Sequence, residues 1–218
     1  MKHAFRTLAL CAAIHAGSAS AQEALPESCR PNVGNIALAP GSETAAAQLQ
    51  CDIDRAAILA NRSEMIHNAD NDPVLRIVDT KAPSGAAYVY DILDAGGTMM
   101  LDARTVPSSM DDERPIPLCR LEIRLPDDVA ARVVLALATS DDIPAYGARE
   151  RMVTNADGSR SFELLLDAHD VITSIETPGG LRNFSRHADA TDEIARLNAS
   201  IIGVANFSDA WVCNLNTN

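Results

Sequence analysis

The sequence predicts a single α+β domain, in which an N-terminal and a C-terminal helix bracket a mostly antiparallel sheet. Apolar residues recur every three or four positions near both ends of the chain, which is typical of the buried face of a helix. Between these segments, short apolar runs are separated by clusters of turn-forming residues, as in strands joined by hairpins. Because no long or low-complexity linker interrupts this pattern, we assign residues 42–218 to one domain.

The two bracketing helices are predicted at residues 42–66 and 190–204. Acidic side chains occupy the first turn of each helix, where the helix dipole favours them. The apolar stripe of the first helix consists of Leu49, Ile53, Ala56, Ala57 and Ala60. The stripe of the second helix consists of Ile194, Leu197, Ile201 and Val204. Before the first helix, residues 22–41 contain three prolines and two glycines and predict an extended arm.

The central part of the chain predicts strands. Residues 74–78, 86–93 and 98–104 are separated by turn-forming residues, which favours an antiparallel meander. The strand after them has the clearest alternation, because its apolar side chains are interleaved with charged ones and predict a half-buried strand with a charged outer face. The inward-facing residues of this strand are Cys119, Leu121, Ile123 and Leu125.

The next part of the chain predicts one segment that is either helix or strand, followed by a hairpin and a short strand. Residues 129–139 match either a helix or a buried strand, and we favour a helix because Asp127 and Asp128 suit its first turn. Residues 150–154 and 161–167 flank the turn sequence Asn-Ala-Asp-Gly and predict a hairpin. A further short strand is predicted at 171–175, after which a Pro-Gly-Gly sequence breaks the chain.

Residues 1–21 have the pattern of a secretory signal peptide. Lys2, His3 and Arg6 form a basic start, an apolar stretch follows, and Ala19-Ser20-Ala21 offers the small residues that signal peptidase needs. The alternative is a short helix belonging to the fold, which would be apolar on all sides. We therefore expect a periplasmic or secreted protein whose mature chain begins at Gln22.

Four cysteines remain in the mature chain: Cys29, Cys51, Cys119 and Cys213. Four cysteines in an exported chain predict two disulfides, with three possible pairings. We favour Cys29–Cys51 and Cys119–Cys213, because these close a short N-terminal loop and tie the C-terminal tail to a central strand. Loop entropy gives them roughly 3 and 4–5 kcal/mol of stabilisation. A zinc site is disfavoured, since no two cysteines have the close spacing of zinc ligands.

The charge balance argues against one class of partner. The full chain has 18 basic and 30 acidic residues, for a net charge of −12. Removal of residues 1–21 takes away Lys2 and Arg6 and no acid, which makes the mature net charge −14. We expect no nucleic-acid partner, because phosphate backbones are bound by clustered basic residues. No apolar run reaches the roughly 18 residues that cross a bilayer, so we also expect no membrane span.

The motifs of several enzyme classes are absent. The sequence has no Gly-x-Ser-x-Gly elbow, no phosphate-binding Gly-rich loop and no His-Glu-x-x-His pair. Residues 68–79 place acidic and amide side chains at EF-hand spacing, but Pro73 stands where that loop requires glycine. We therefore expect no cofactor and no metal site.

Two groups of residues remain as site candidates. His169 lies between Asp167 and Asp170, and a neighbouring carboxylate could orient the imidazole as a general base or join it in binding a metal. The alternative for this group is a solvated turn at a strand end. Tyr88 and Tyr90 share one face of a strand and could form a small recognition patch, although we favour core or cross-strand packing for them.

These observations lead to three hypotheses for function. The first is a non-catalytic exported protein that binds a protein or a small molecule of unknown identity. The second is a hydrolase or metal-assisted enzyme centred on His169 with Asp167 or Asp170. The third is a purely structural protein of the cell envelope. The oligomeric state is left open by the sequence.

Overall fold

The computed structural model describes residue 29 and residues 43–70, 72–80, 86–107, 117–147, 150–164 and 170–215. The helices are α1 (Glu43–His67), α2 (Asp127–Thr139) and α3 (Glu193–Asn206). The strands are β1 (Leu75–Asp79), β2 (Ala86–Asp94), β3 (Met99–Pro107), β4 (Pro117–Arg124), β5 (Glu150–Thr154), β6 (Arg160–Leu164), β7 (Asp170–Thr177), β8 (Gly180–His187) and β9 (Val212–Leu215). This architecture confirms the predicted α+β fold. The predicted signal peptide, and all of the predicted arm except Cys29, lie outside the described residues.

Seven of these strands form one antiparallel sheet in the order β8-β7-β1-β2-β3-β4-β9. The predicted meander is its centre, since β1 to β4 pair in chain order. Strands β7 and β8 extend the sheet beyond β1, and β9 extends it beyond β4. Strands β5 and β6 pair only with each other and form the predicted hairpin.

Helices cover both faces of the sheet. Helix α1 packs on one face, which we call the α1 face, through Ala56 and Leu59 against Val78, Val89 and Ile172. Helices α2 and α3 pack on the opposite face, which we call the α3 face and which carries the larger core. That core includes the fully buried side chains of Leu75, Ile77, Tyr90, Ile92, Leu101, Leu121, Phe184, Ile194 and Ile201.

The two disulfides have the predicted pairing. Cys29 is bonded to Cys51 on α1, and Cys119 on β4 is bonded to Cys213 on β9. The second pair is also a register pair, so the bond joins two neighbouring strands at the edge of the sheet. Disulfides are compatible with an oxidising environment such as the periplasm or the cell exterior. Within the described ranges, no helix is both long enough and apolar enough to cross a membrane.

Sequence reasoning missed the strands β8 and β9. The sequence of β8 reads Gly-Leu-Arg-Asn-Phe-Ser-Arg-His, so its alternation is hidden by buried polar residues, of which Arg186 is only 1% exposed. The Pro178-Gly179 sequence was expected to break the chain, and it is the two-residue turn of the β7–β8 hairpin. The predicted stripe of α1 was wrong at Ala57, which is exposed, because the helix buries Leu59 and Ser63 instead.

Candidate functional site

A cleft lies between α3 and the sheet, where β1 and β8 end and β7 begins. Its volume is about 310 Å³, at the lower end of the roughly 300–1,000 Å³ of small-molecule sites. Asp79, Val171 and Arg186 line it from the strands, and all three are buried. Ala199 and Gly203 line it from α3. The cleft therefore has a buried floor and an exposed rim.

The sequence of α3 creates this space. Ala195, Ala199 and Gly203 follow one another at four-residue intervals and therefore share one side of the helix. Their small side chains leave room above the strand ends. A β-carbon placed at Gly203 would meet no other atom within 4 Å, so the helix has open space at this point.

Asn198 is the polar residue of α3 that lines the cleft and is buried, with 3% of its surface exposed. Its Oδ1 accepts a hydrogen bond from Thr173 Oγ1 at 2.9 Å, which fixes the orientation of the amide. Among the residues that the structure describes, its Nδ2 has no hydrogen-bond partner. An unsatisfied buried donor costs about 1–3 kcal/mol, and such a group in a native protein often indicates a missing ligand or water.

Asp79 brings a negative charge to the floor of the cleft. It is the last residue of β1, faces the same side of the sheet as Leu75 and Ile77, and is 1% exposed. Burial raises the pKa of Tyr90, and the nearby negative charge of Asp79 raises it further.

Arg186 holds the surrounding backbone in place. Its Nη2 donates to Pro144 O at 2.6 Å, and its Nη1 donates to Ala145 O and Ser185 O, both at 2.9 Å. Its Nε donates to Asp192, the N-cap of α3. Gly147 is required beside it, because a β-carbon there would lie 2.7 Å from Arg186 Cδ. One buried arginine thus joins residues 144–147 and α3 to β8.

One residue of the predicted histidine site, Asp170, directly precedes Val171, which lines the cleft. Asp170 begins β7, where Thr80 Oγ1 donates to its carbonyl oxygen at 3.1 Å, and its register partner across the strands is His187. His187 lines the cleft, and its Nδ1 accepts the backbone N–H of Asp189 at 3.0 Å, which places a proton on Nε2 in the neutral ring. His169 and Asp167 lie outside the described residues, so their predicted role stays a prediction.

The predicted tyrosine patch lies on the α3 face of the sheet. The rings of Tyr88 and Tyr90 are stacked with centroids 6.2 Å apart. Tyr90 is fully buried in the core, and its hydroxyl has no hydrogen-bond partner within the described part of the chain. Tyr88 is half-buried and is the register partner of Asp79. Both tyrosines contribute to packing, and their predicted role in binding stays a prediction.

A second group of polar residues, buried at its centre and exposed at its ends, lies on the α1 face. We call it the ion network, and it consists of Glu64, Arg76, Asp91, Arg104, Asp102, Arg120 and Glu122. Arg76 donates to Asp91 Oδ1 at 2.6 Å and to Glu64 Oε1 at 2.7 Å. Arg104 contacts Asp91 as well as Asp102, and Arg120 Nη2 donates to Asp102 Oδ2 at 3.0 Å. The network crosses four strands of the sheet.

In the ion network, three arginines compensate four carboxylates, of which Glu122 is largely exposed. Asp91 and Asp102 are register partners on neighbouring strands, and arginines on both sides compensate their repulsion. Burial alone would lower the pKa of Arg76, but its hydrogen bonds and charge interactions with Asp91 and Glu64 raise the pKa above the usual value. Arg104 keeps an unpartnered Nε, yet it does not line the cleft. This arrangement stabilises the sheet and α1.

Sequence reasoning missed the polar residues of the cleft, although both carried a signal. Asn198 falls on the apolar stripe of α3 beside Ile194 and Ile201, where a polar residue is unexpected. Asp79 continues the inward-facing series of Leu75 and Ile77. A polar residue at an apolar position is a sequence-level indication of a buried site.

Two further observations bear on chemistry. Among the described residues, no group of three or more His, Cys, Asp or Glu side chains is arranged to hold a metal ion. Comparison with protein-family models, with curated proteins and with solved structures found no significant match to this chain.

Proposed function

We propose that this protein is an exported, non-catalytic binding module that takes a small polar ligand into the cleft beneath α3. The observation that carries the proposal is the buried Asn198 amide, whose Nδ2 lacks a partner and which lines the cleft. A ligand oxygen at this position would remove the cost of the unsatisfied donor. The signal sequence and the two disulfides support action in the periplasm or outside the cell.

The hydrogen bonds that fix the residues around the cleft support a binding function over a catalytic one. Thr173 fixes the Asn198 amide, and Arg186 fixes the backbone at the end of the cleft near the N-terminus of α3. A preorganised site loses less entropy when a ligand binds. The acidic mature chain would also keep such a protein soluble at high concentration.

Gly203 offers a direct test, because a side chain there enters open space. We expect Gly203→Leu to fill the cleft without destabilising the fold. The matched control is Ala138→Leu, at an exposed position on α2 away from the cleft. Both variants and the parent protein would be screened against a library of small fragments by ligand-observed NMR.

The proposal expects fragments that bind the parent protein and Ala138→Leu but do not bind Gly203→Leu. If the library yields no fragment whose binding is lost in Gly203→Leu, the proposed function is wrong. Circular dichroism of the three proteins would check that each is folded.

A hydrolase is the second candidate, favoured by the pairing of Asp170 with His187 across neighbouring strands. This pairing puts an imidazole beside Asp170, the described residue of the predicted histidine cluster. The test is turnover of an ester and amide substrate panel by the parent protein, by His169→Ala and by His187→Ala. Activity that is lost in either variant without a change in melting temperature would favour catalysis over binding.

A further inference from the structure

We propose that the ligand of the cleft is a small uncharged carbonyl compound, such as a ketone or an ester, whose oxygen accepts a hydrogen bond from Asn198. This inference rests on the proposed function and adds the chemical class of the ligand. It follows from three features of the cleft, namely the donor that Asn198 presents, the aliphatic side chains beside it and the partners that the charged lining residues have within the protein.

The first feature is the amide of Asn198, which presents donors to the cleft. Asn198 is 3% exposed, and its Oδ1 already accepts the hydrogen bond from Thr173 Oγ1. Its Nδ2 carries two N–H bonds and has no hydrogen-bond partner among the described residues. A ligand atom that pairs with Nδ2 must therefore be an acceptor. A carbonyl oxygen meets this requirement and brings no donor of its own.

The second feature is the aliphatic lining of the cleft beside Asn198. Val171 lines the cleft from β7, and Ala195, Ala199 and Ile202 line it from α3. These side chains can bury apolar groups of a ligand, but they can neither donate nor accept a hydrogen bond. We therefore expect a ligand that is hydrocarbon apart from its acceptor. The cleft volume of about 310 Å³ restricts this ligand to a small molecule.

The third feature is that the charged and ionisable residues of the cleft have partners inside the protein. The guanidinium of Arg186 donates to Asp192 and to three backbone carbonyl groups. Asp79 and His187, which also line the cleft, have interactions within the protein as well. A charged ligand group that is buried without an opposite charge loses its hydration at a high cost in free energy. The cleft therefore favours an uncharged ligand over a cation or an anion.

A matched set of probes tests this chemistry. The probes share one small ring and are cyclopentanone, the hydrocarbon cyclopentene, the cation cyclopentylammonium and the anion cyclopentanecarboxylate. Binding would be measured by titration of the ¹⁵N-labelled protein, with the side-chain amide signal of Asn198 as reporter. We expect cyclopentanone to bind at least about fivefold more tightly than cyclopentene, in line with one neutral hydrogen bond, and more tightly than either ion. The hydrogen bond should also move the Asn198 amide proton signal downfield.

A double variant, Thr173→Val with Asn198→Leu, removes the amide together with its hydrogen-bond partner. The preference for cyclopentanone over cyclopentene, measured on the ligand signals, should then fall to less than about twofold. Asn61→Leu, at an exposed position on α1, is the control and should keep the preference. If the double variant does not fold, the ranking of the four probes and the direction of the Asn198 proton shift in the parent protein decide the question.

The outcomes separate the two proposals. If cyclopentene or either ion binds at Asn198 as tightly as cyclopentanone, or if the preference survives in the double variant, the inference is wrong and the binding function stands. If no probe moves the Asn198 signal, the fragments whose binding is lost in Gly203→Leu decide, and fragments without an uncharged acceptor oxygen overturn the inference. If the library yields no such fragment either, both proposals are wrong.

Discussion

The two faces of the sheet bury polar side chains in different surroundings. On the α1 face, Asp91 and Arg104 are fully buried, and each charge contacts an opposite charge. On the α3 face, Asn198 is almost as deeply buried, yet one end of its amide has no partner and lines a cleft. Buried groups that satisfy one another indicate architecture, whereas a buried donor without a partner beside a cavity indicates a binding site.

The largest effect should come from removing a charge of the ion network. Arg104→Met leaves Asp91 and Asp102 buried side by side with less compensation, and we expect a loss of about 4 kcal/mol in the free energy of unfolding. Urea denaturation would measure it. Arg124→Met is the control, because its ion pair with Asp127 is exposed and should contribute less than about 0.5 kcal/mol.

The double variant Asp91→Asn with Arg104→Met refines this prediction. Neutralising Asp91 removes the uncompensated buried charge, so the double variant should recover part of the stability lost in Arg104→Met. A loss below about 1 kcal/mol in Arg104→Met alone would show that the network does not stabilise the sheet.

A cavity on the α3 face should cost somewhat less. Leu121 is fully buried in the main core, and Leu121→Ala should lower the free energy of unfolding by about 3 kcal/mol. This loss should be independent of salt, because no charge changes. Urea denaturation at low and high sodium chloride would test it, and a salt-dependent loss would contradict the assignment of this face as apolar.

The start of α3 should show a smaller effect. Asp192 caps the helix by accepting the backbone N–H of Ala195 at 2.9 Å, and it also pairs with Arg186. We expect Asp192→Ala to cost about 1 kcal/mol in the free energy of unfolding, measured in urea. Asp192→Asn keeps the cap acceptor and should cost less. Equal losses in the two variants would mean that the charge, and not the cap, is what stabilises this end of the cleft.

The smallest effect concerns alkaline pH. Burial and the charge of Asp79 raise the pKa of Tyr90, so the folded protein keeps its phenol proton at pH values where the unfolded chain loses it. The stability from this residue is therefore present below the unfolded pKa of about 10 and is lost as pH rises above it. Tyr90→Phe should flatten the fall of the urea midpoint between about pH 9 and 11 more than Tyr88→Phe does. An unchanged slope would contradict this.

Sequence patterns predicted the elements whose apolar period is regular. The meander, the hairpin β5–β6 and α2 belong to this group, because alternation and turn residues are local signals. The two disulfides were predicted separately, by favouring one of three possible pairings of the four cysteines. Strand β8 was missed because Arg186 and Ser185 are buried by long-range contacts, Arg186 with residues 144–145 and Ser185 with Asp52 on α1. Because these contacts join residues far apart in the sequence, they do not produce a periodic sequence pattern.

The candidate site was harder to predict for the same reason. The predicted histidine cluster rested on neighbours in sequence, and only Asp170 of that cluster is described. The cleft joins Asp79 with Asn198, which are more than a hundred residues apart and meet only because β1 is paired with β7 under α3. Each residue alone was only a polar side chain at an apolar position, and the sequence did not show that the two line one cleft.

The most direct test compares the two faces in one experiment. The side-chain amide of Asn198 reports on the cleft, and the Nε–H of Arg76, which donates to Asp91, reports on the ion network. On titration of the ¹⁵N-labelled protein with a fragment that binds it, the account predicts that the Asn198 signal shifts and the Arg76 signal does not. A fragment series that shifts Arg76 and leaves Asn198 unchanged would contradict the account, because the binding site would then lie on the α1 face.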